Sequence, residues 1–146
     1  MKIYFDVCCL NRPYDDQNQD KIHMESEAII TIFKHIEYSD WLLLNSGIVN
    51  YEINNTSDIE RKERLLSLIK LSSEFISINN EIHSRAKKIQ EFGIKTYDSL
   101  HIACAENGHA DVFLTTDDRL IKAVKRNSDE IKIEVENPLL WLYKVI

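Results

Sequence analysis

Met1-Lys2-Ile3-Tyr4-Phe5-Asp6 opens the chain, and how it is read decides the fold. Ile3, Tyr4 and Phe5 are consecutive apolar β-formers, and the run stops at a carboxylate. An apolar run without alternation suits a strand buried on both faces, the environment at the centre of a parallel sheet. In open α/β sheets, chemistry collects beyond the carboxyl ends of the strands. Asp6 stands there, either as part of a site or as a cap on the next segment.

The rest of the chain fits that strand into an alternating pattern. Asn11–Asp16, around Pro13, reads as a loop. Ile22, Ile29, Ile30, Ile32, Phe33 and Ile36 recur at helical spacing, predicting a helix from Lys21 to about Tyr38 with Asp20 as its N-cap. Trp41–Leu44 is a second apolar run, and Ser46 is placed to cap a helix carrying Ile48, Val49, Tyr51, Glu52 and Ile53. Further helices are predicted over Asp58–Leu71, Glu81–Phe92, Thr96–Asn107 and Asp117–Lys125, with strands at Phe75–Ile78, Val112–Thr115 and Ile131–Val135. Gly93 marks a left-handed helix end, Thr96 a cap, and Leu139–Val145 a short helical tail after Pro138. Five short strands alternating with helices imply a three-layer α/β/α sandwich around a five-stranded parallel sheet. Nothing resembles a linker or a repeat, so residues 1–146 are expected to form one domain.

Composition sets limits on function. The chain is 44% apolar and 29% charged, ordinary for a globular protein, and no apolar run approaches the roughly 20 residues of a membrane span. No basic region leads into an apolar stretch at the N-terminus, so the terminus is expected to be mature as written, with no signal peptide and no membrane partner. Cys8, Cys9 and Cys104 form neither a disulfide framework nor a metal spacing, which points to a reducing cytoplasm and to packed thiols. The net charge of −6 does not advertise nucleic-acid binding, although an acidic site that gathers cations reverses its local sign.

Four acids fall where this architecture puts chemistry. Asp6 ends the first strand, Glu52 lies about a turn into the helix after the second, Asp98 is in the first turn of the Thr96 helix, and Asp117 follows the Val112–Thr115 strand. Each also has a plain reading: Asp98 complements the helix dipole, Asp117 caps a helix, and Glu52 is a solvated surface residue. Together they would repel, and at least one should then have a raised pKa. Such an arrangement suits hard cations, Mg²⁺ or Mn²⁺, bound by oxygen ligands alone. A pair of such ions about 4 Å apart activates water against a phosphodiester. There is no glycine-rich phosphate loop, nucleophile elbow or zinc spacing to support rival chemistry.

Phe5-Asp6, Ser46…Glu52, Tyr97-Asp98-Ser99-Leu100-His101-Ile102-Ala103-Cys104-Ala105 and Leu114-Thr115-Thr116-Asp117-Asp118 together resemble the PIN-domain family. These are metal-dependent ribonucleases that include the VapC-type toxins of bacterial toxin–antitoxin pairs. The resemblance implies that Asp6, Glu52, Asp98 and Asp117 are the metal-binding and catalytic acids, with Asp118 open to share or take the place of Asp117. It further implies a PIN-like sheet, Mg²⁺ or Mn²⁺, single-stranded RNA as substrate, an antitoxin protein as partner of a toxin, and a homodimer. The leading function is therefore a divalent-metal-dependent endoribonuclease. The alternatives are a non-catalytic RNA- or protein-binding module with a degenerate metal site and, last, an aspartyl phosphotransferase, which lacks its usual second acid because Cys8 stands there.

Other residues carry two readings each. His101, three residues after Asp98, is a proton shuttle or a packed histidine. Thr115 and Ser46 orient an acid or phosphate, or satisfy backbone at strand ends. Asn11 and Arg12 lie just past Asp6, where Arg12 contacts phosphate or is a solvated loop residue. Arg61, Lys62, Arg64, Lys87, Lys88, Lys122, Lys125 and Arg126 line an RNA track or cover exposed helix faces. No stacking aromatics are interleaved with them. Ile29–Ile36 and Leu65–Ile69 are the apolar helix faces available to a dimer.

Overall fold

The computed structural model describes residues 1–146. Strands β1 (Lys2–Phe5), β2 (Leu42–Ser46), β3 (Glu74–Ile76), β4 (Val112–Leu114) and β5 (Glu134–Glu136) form one parallel sheet in the order β3-β2-β1-β4-β5. Tyr4 is in register with Leu44 on one side and Phe113 on the other. The opening run is thus the central strand. Ile3, Tyr4 and Phe5 are buried, as are Val112, Phe113 and Leu114 beside them, because strands paired on both edges and covered on both faces have no wet position.

Eight helices flank the sheet, giving the three-layer α/β/α arrangement: α1 (Val7–Asn11), α2 (Asp20–Tyr38), α3 (Gly47–Asn54), α4 (Ile59–Ile69), α5 (Asn80–Gln90), α6 (Thr96–Asn107), α7 (Asp118–Arg126) and α8 (Pro138–Val145). The buried apolar residues make one contiguous cluster of 38, leaving no second core. Ser46 caps α3 by accepting from the Val49 amide, and Asp58 and Asn79 cap α4 and α5 in the same way. Gly93 adopts φ +85°, the left-handed end expected of it. At Gly108 space is tight instead: a Cβ there would lie 2.9 Å from Ile76 Cδ1 and 3.1 Å from Leu44 Cδ1, so those side-chain ends would have to shift.

Several local expectations are corrected. Val7–Asn11 is a short helix continued by a 3-10 turn at Arg12–Tyr14, where Pro13 occupies an opening position whose N–H has no partner to lose. Gln19 and Lys95, not Asp20 and Thr96, are the N-cap positions of α2 and α6, and neither supplies a side-chain cap. Strand β5 begins at Glu134; Ile131 is buried ahead of it, its amide donating to the Asn127 carbonyl of the preceding turn at 2.9 Å. β3 likewise ends at Ile76. Of the helix faces offered to a dimer, Ile29, Ile32, Phe33, Ile36, Leu65 and Ile69 belong to the core, whereas Ile30 is exposed and Leu66 and Leu68 are partly buried.

The strand order has a functional consequence. The chain leaves β1 toward β2 and β3, then returns on the other edge of β1 as β4. That reversal opens a crevice beyond the carboxyl ends of β1 and β4. Asp6 extends the ladder by one residue there, donating its amide to the Leu114 carbonyl at 2.9 Å.

Candidate active site

The crevice is a cleft of about 600 Å³ lined by Asp6, Glu52, Asp98 and Asp117, with Cys8 and Tyr97 among the other walls. All four sequence-predicted acids reach it from different elements. Asp6 leaves the end of β1, Glu52 stands on α3, Asp98 on the first turn of α6, and Asp117 at the cap of α7. Asp118 does not reach it. Its Oδ2 lies 3.0 Å from Lys21 Nζ in a separate groove, so the adjacent pair of acids is divided between two regions.

Each acid is held in a distinct way. Asp6 is buried, and its Oδ2 accepts from the Thr115 hydroxyl at 2.8 Å and the Cys8 thiol at 3.3 Å. Thr115 Oγ1 in turn accepts the Asp117 amide at 3.1 Å, so Thr115 orients one acid and fixes the backbone of another. Asp117 Oδ1 caps α7, accepting from the amides of Arg119 at 3.0 Å and Leu120 at 3.2 Å. Asp117 is thus the cap of its plain reading, and it also lines the cleft.

Glu52 is gripped by His101 Nε2 in a short contact. His101 and Tyr4 are fully buried, and their partners fix the tautomer by elimination. The Glu52 carboxylate can only accept, so in the neutral imidazole Nε2 carries the N–H and Nδ1 accepts. Ser46 Oγ, which accepts from the Val49 amide at 3.3 Å, donates to Tyr4 Oη at 2.6 Å. Tyr4 then donates to His101 Nδ1 at 2.7 Å, and the remaining ring N–H points at Glu52. This packed relay makes His101 a positioner of Glu52, and it places Ser46 out of reach of any phosphate.

The electrostatics register the crowding. Asp98 has its carboxyl pushed up to about 6, first by burial and then by the nearby Asp6, with Asp117 and Glu52 adding to the shift and His101 opposing it. Lys95 is the one cation among the lining residues, and it makes no ion pair. None of the basic groups considered for an RNA track lines the cleft. Arg61 clamps Asp15 and the Tyr14 carbonyl, Arg64 pairs with Glu60, and Lys125 pairs with Glu136. Arg12 is not a solvated loop residue: it pairs with the buried Glu25 at 3.0 Å and with Asp15 at 3.3 Å.

An oxygen-only set of four carboxylates fits a hard divalent cation in its chemistry. No three of the His, Cys, Asp and Glu side chains approach closely enough to share one ion in this arrangement. Glu52 is drawn toward His101, Asp6 toward Thr115 and Cys8, and Asp117 toward its helix. Two exposed aromatics at this edge escape any pattern in the sequence. Tyr97 lines the cleft and meets Tyr51 of α3 edge to face, a pairing hidden by their separation along the chain.

The PIN domain family model matches residues 9–126. Asp6 lies just before the matched span and joins the other three acids only through the fold. No curated protein sequence matches the chain. Among solved structures, it is similar to a chain of VapBC2 from Rickettsia felis, determined bound to a DNA fragment from the promoter, with 13% identity and a TM-score of 0.54. It is also similar to a chain of VapBC-1 from nontypeable Haemophilus influenzae, with 14% identity and a TM-score of 0.59. Each likeness covers 94% of this chain and 98% of the other, and at these identities it is a likeness of fold.

Proposed function

The chain belongs to the PIN domain family, and from that premise we propose that it is a divalent-metal-dependent endoribonuclease acting on single-stranded RNA. The observation that carries this reading is the meeting of Asp6, Glu52, Asp98 and Asp117 in one cleft at the carboxyl edge of the sheet. Asp6 and Asp98 would hold the principal ion, Mg²⁺ or Mn²⁺, with Glu52 and Asp117 completing the set. When bound, such an ion lowers the pKa of water and stabilises charge on a phosphodiester undergoing displacement.

This chain's own residues supply orientation. Thr115 fixes the Asp6 carboxylate, His101 fixes Glu52, and the α7 cap fixes Asp117, so three of the acids enter with little rotational freedom left to lose. Asp98 is the acid whose charge is least favoured without a cation, so it gains most from one. The likeness to VapBC chains supports a protein antitoxin as partner, and three free cysteines fit a cytoplasmic setting.

The test is cleavage of an unstructured oligoribonucleotide with Mn²⁺ and with EDTA. Cleavage in Mn²⁺ that EDTA abolishes is the expected result, and metal-independent cleavage would remove the four acids from the chemistry. The second reading, a binding module with a degenerate metal site, draws on the wide spacing of the acids. It predicts no rise of melting temperature with Mg²⁺ or Mn²⁺, whereas a live site binds the folded state and raises it.

A further inference from the structure

The acid cleft poses a problem for a polyanionic substrate. Its walls carry four carboxylates against the single cation Lys95, and the whole chain has a net charge of −6. Coulombic attraction to phosphate, the usual source of nucleic-acid affinity, is weak here. An RNA strand would need a contact that does not depend on charge.

The fold provides one at the cleft mouth. Tyr51 and Tyr97 are 52% and 48% exposed, with ring centroids 6.0 Å apart and planes at 78°. Each ring immediately precedes a cleft acid in the chain, Tyr51 before Glu52 and Tyr97 before Asp98. The packing of α3 against α6 brings them together. Edge-to-face geometry satisfies the pair itself and leaves flat apolar surface open to solvent. Lys95 lies two residues before Tyr97 on the same rim.

We propose that the Tyr51–Tyr97 pair is a stacking subsite for an unpaired nucleobase of the RNA strand, and that Lys95 meets a neighbouring phosphate. The proposal rests on the nuclease reading of the cleft and adds to it the contact that holds the substrate. Stacking on an aromatic face is tolerant of sequence, because every base has a π-face. The subsite therefore selects for single-stranded over duplex RNA, whose bases are already stacked on one another, and it does so without reading sequence.

Anisotropy of a labelled oligoribonucleotide, read before turnover in Mg²⁺ and again in EDTA, tests this on the full chain. Tyr51→Ala and Tyr97→Ala are each expected to raise Kd by about tenfold, while Tyr51→Phe and Tyr97→Phe keep the wild-type value. A strand with abasic sites should bind wild type as weakly as the alanine variants bind the intact strand. Unchanged Kd in both alanine variants, or equal affinity for the abasic strand, overturns the subsite and points to a protein segment as the cover for this pair. Wild type that binds with ring dependence and does not cut keeps the subsite and removes the nuclease. Wild type that cuts, with alanine variants binding as tightly, removes the subsite and keeps the nuclease. Absence of binding to either strand sinks both.

Discussion

Two depressions of similar size lie on either side of the Asp117–Asp118 pair, and they differ in how cations meet their acids. In the groove where α2, α7 and α8 meet, of about 630 Å³, every acid has a cation or a donor. Asp118 pairs with Lys21 at 3.0 Å, Glu136 with Lys125 at 3.4 Å, and Glu25 with Arg12 at 3.0 Å and the Asn137 amide at 2.6 Å. In the cleft, Asp6 has the Thr115 hydroxyl and the Cys8 thiol, Asp117 has two backbone amides and Glu52 has the His101 ring. Asp98 has no donor, and Lys95 pairs with none of the four. The groove is how a fold treats charges it uses for its own architecture. The cleft leaves its cost on Asp98, whose charged form burial and the nearby acids disfavour, and a perturbed acid in a cleft marks a site kept for something other than stability.

The contrast can be broken most sharply by one substitution in each region. Asp6→Asn should lower RNA cleavage by more than about 10³-fold, since even residues that only orient ligands cost about 10–100-fold. Its melting temperature should hold or rise, because a repelling charge leaves while the Asn carbonyl still accepts from Thr115. Glu25→Ala should do the reverse. It leaves the Asn137 amide without its acceptor and the Arg12 guanidinium with only Asp15, costing about 3 kcal/mol in urea unfolding, and leaves the cleft acids in place. If Asp6→Asn cut at the wild-type rate, or if it unfolded while Glu25→Ala did not, the roles of the two regions would be interchanged.

A smaller effect follows from Asp98, whose carboxyl titrates near 6 in the fold against 3.8 for the unperturbed group. The fold prefers the protonated form. Stability from this group is therefore intact below about pH 4 and is lost as pH rises through about 6. Solvent reaching this half-buried group reduces the loss to about 1 kcal/mol. Asp98→Asn, in EDTA, should abolish that part of the slope and gain about 1 kcal/mol at pH 7.5, measured by urea midpoints at pH 5 and 7.5. Mn²⁺ competes with the same proton, so its stabilisation of wild type should be larger at pH 7.5 than at pH 5. An identical pH profile in the variant would show that Asp98 does not feel the other acids.

The parts of this contrast that were legible in the sequence are those with strong local signals. Ile3-Tyr4-Phe5 marked the central strand because a doubly buried strand has no polar position to blur it. The order of strands and helices then put Asp6, Glu52, Asp98 and Asp117 near one edge. The edge strands were displaced, since Glu134 and Glu136 flank a single buried Val135 and carry almost no pattern. Side-chain partnerships were illegible for a different reason. The grip of His101 on Glu52, the burial of the Arg12–Glu25 pair and the meeting of Tyr51 with Tyr97 all join residues far apart in the chain or on separate elements. No periodicity encodes such contacts. They arise only when the sheet fixes which helices lie side by side.

The smallest predicted effect is the most discriminating, because it separates two neighbours that sequence spacing alone left open. Asp118 is 58% exposed at its side chain and its partner Lys21 is 62% exposed, so their pair is screened by water on all sides. Such pairs contribute about 0.2–1 kcal/mol. Asp118→Asn should therefore shift the urea midpoint by less than about 0.5 kcal/mol and leave Mn²⁺-dependent cleavage unchanged. Asp117→Asn provides the control, since its Oδ1 caps α7 and its carboxylate lines the cleft. An asparagine keeps the capping acceptor and removes the charge, so stability should hold while cleavage falls. If Asp118→Asn is the variant that loses cleavage, the acid that belongs to the metal set is the one now facing Lys21, and the last turn before α7 must rotate to bring it in.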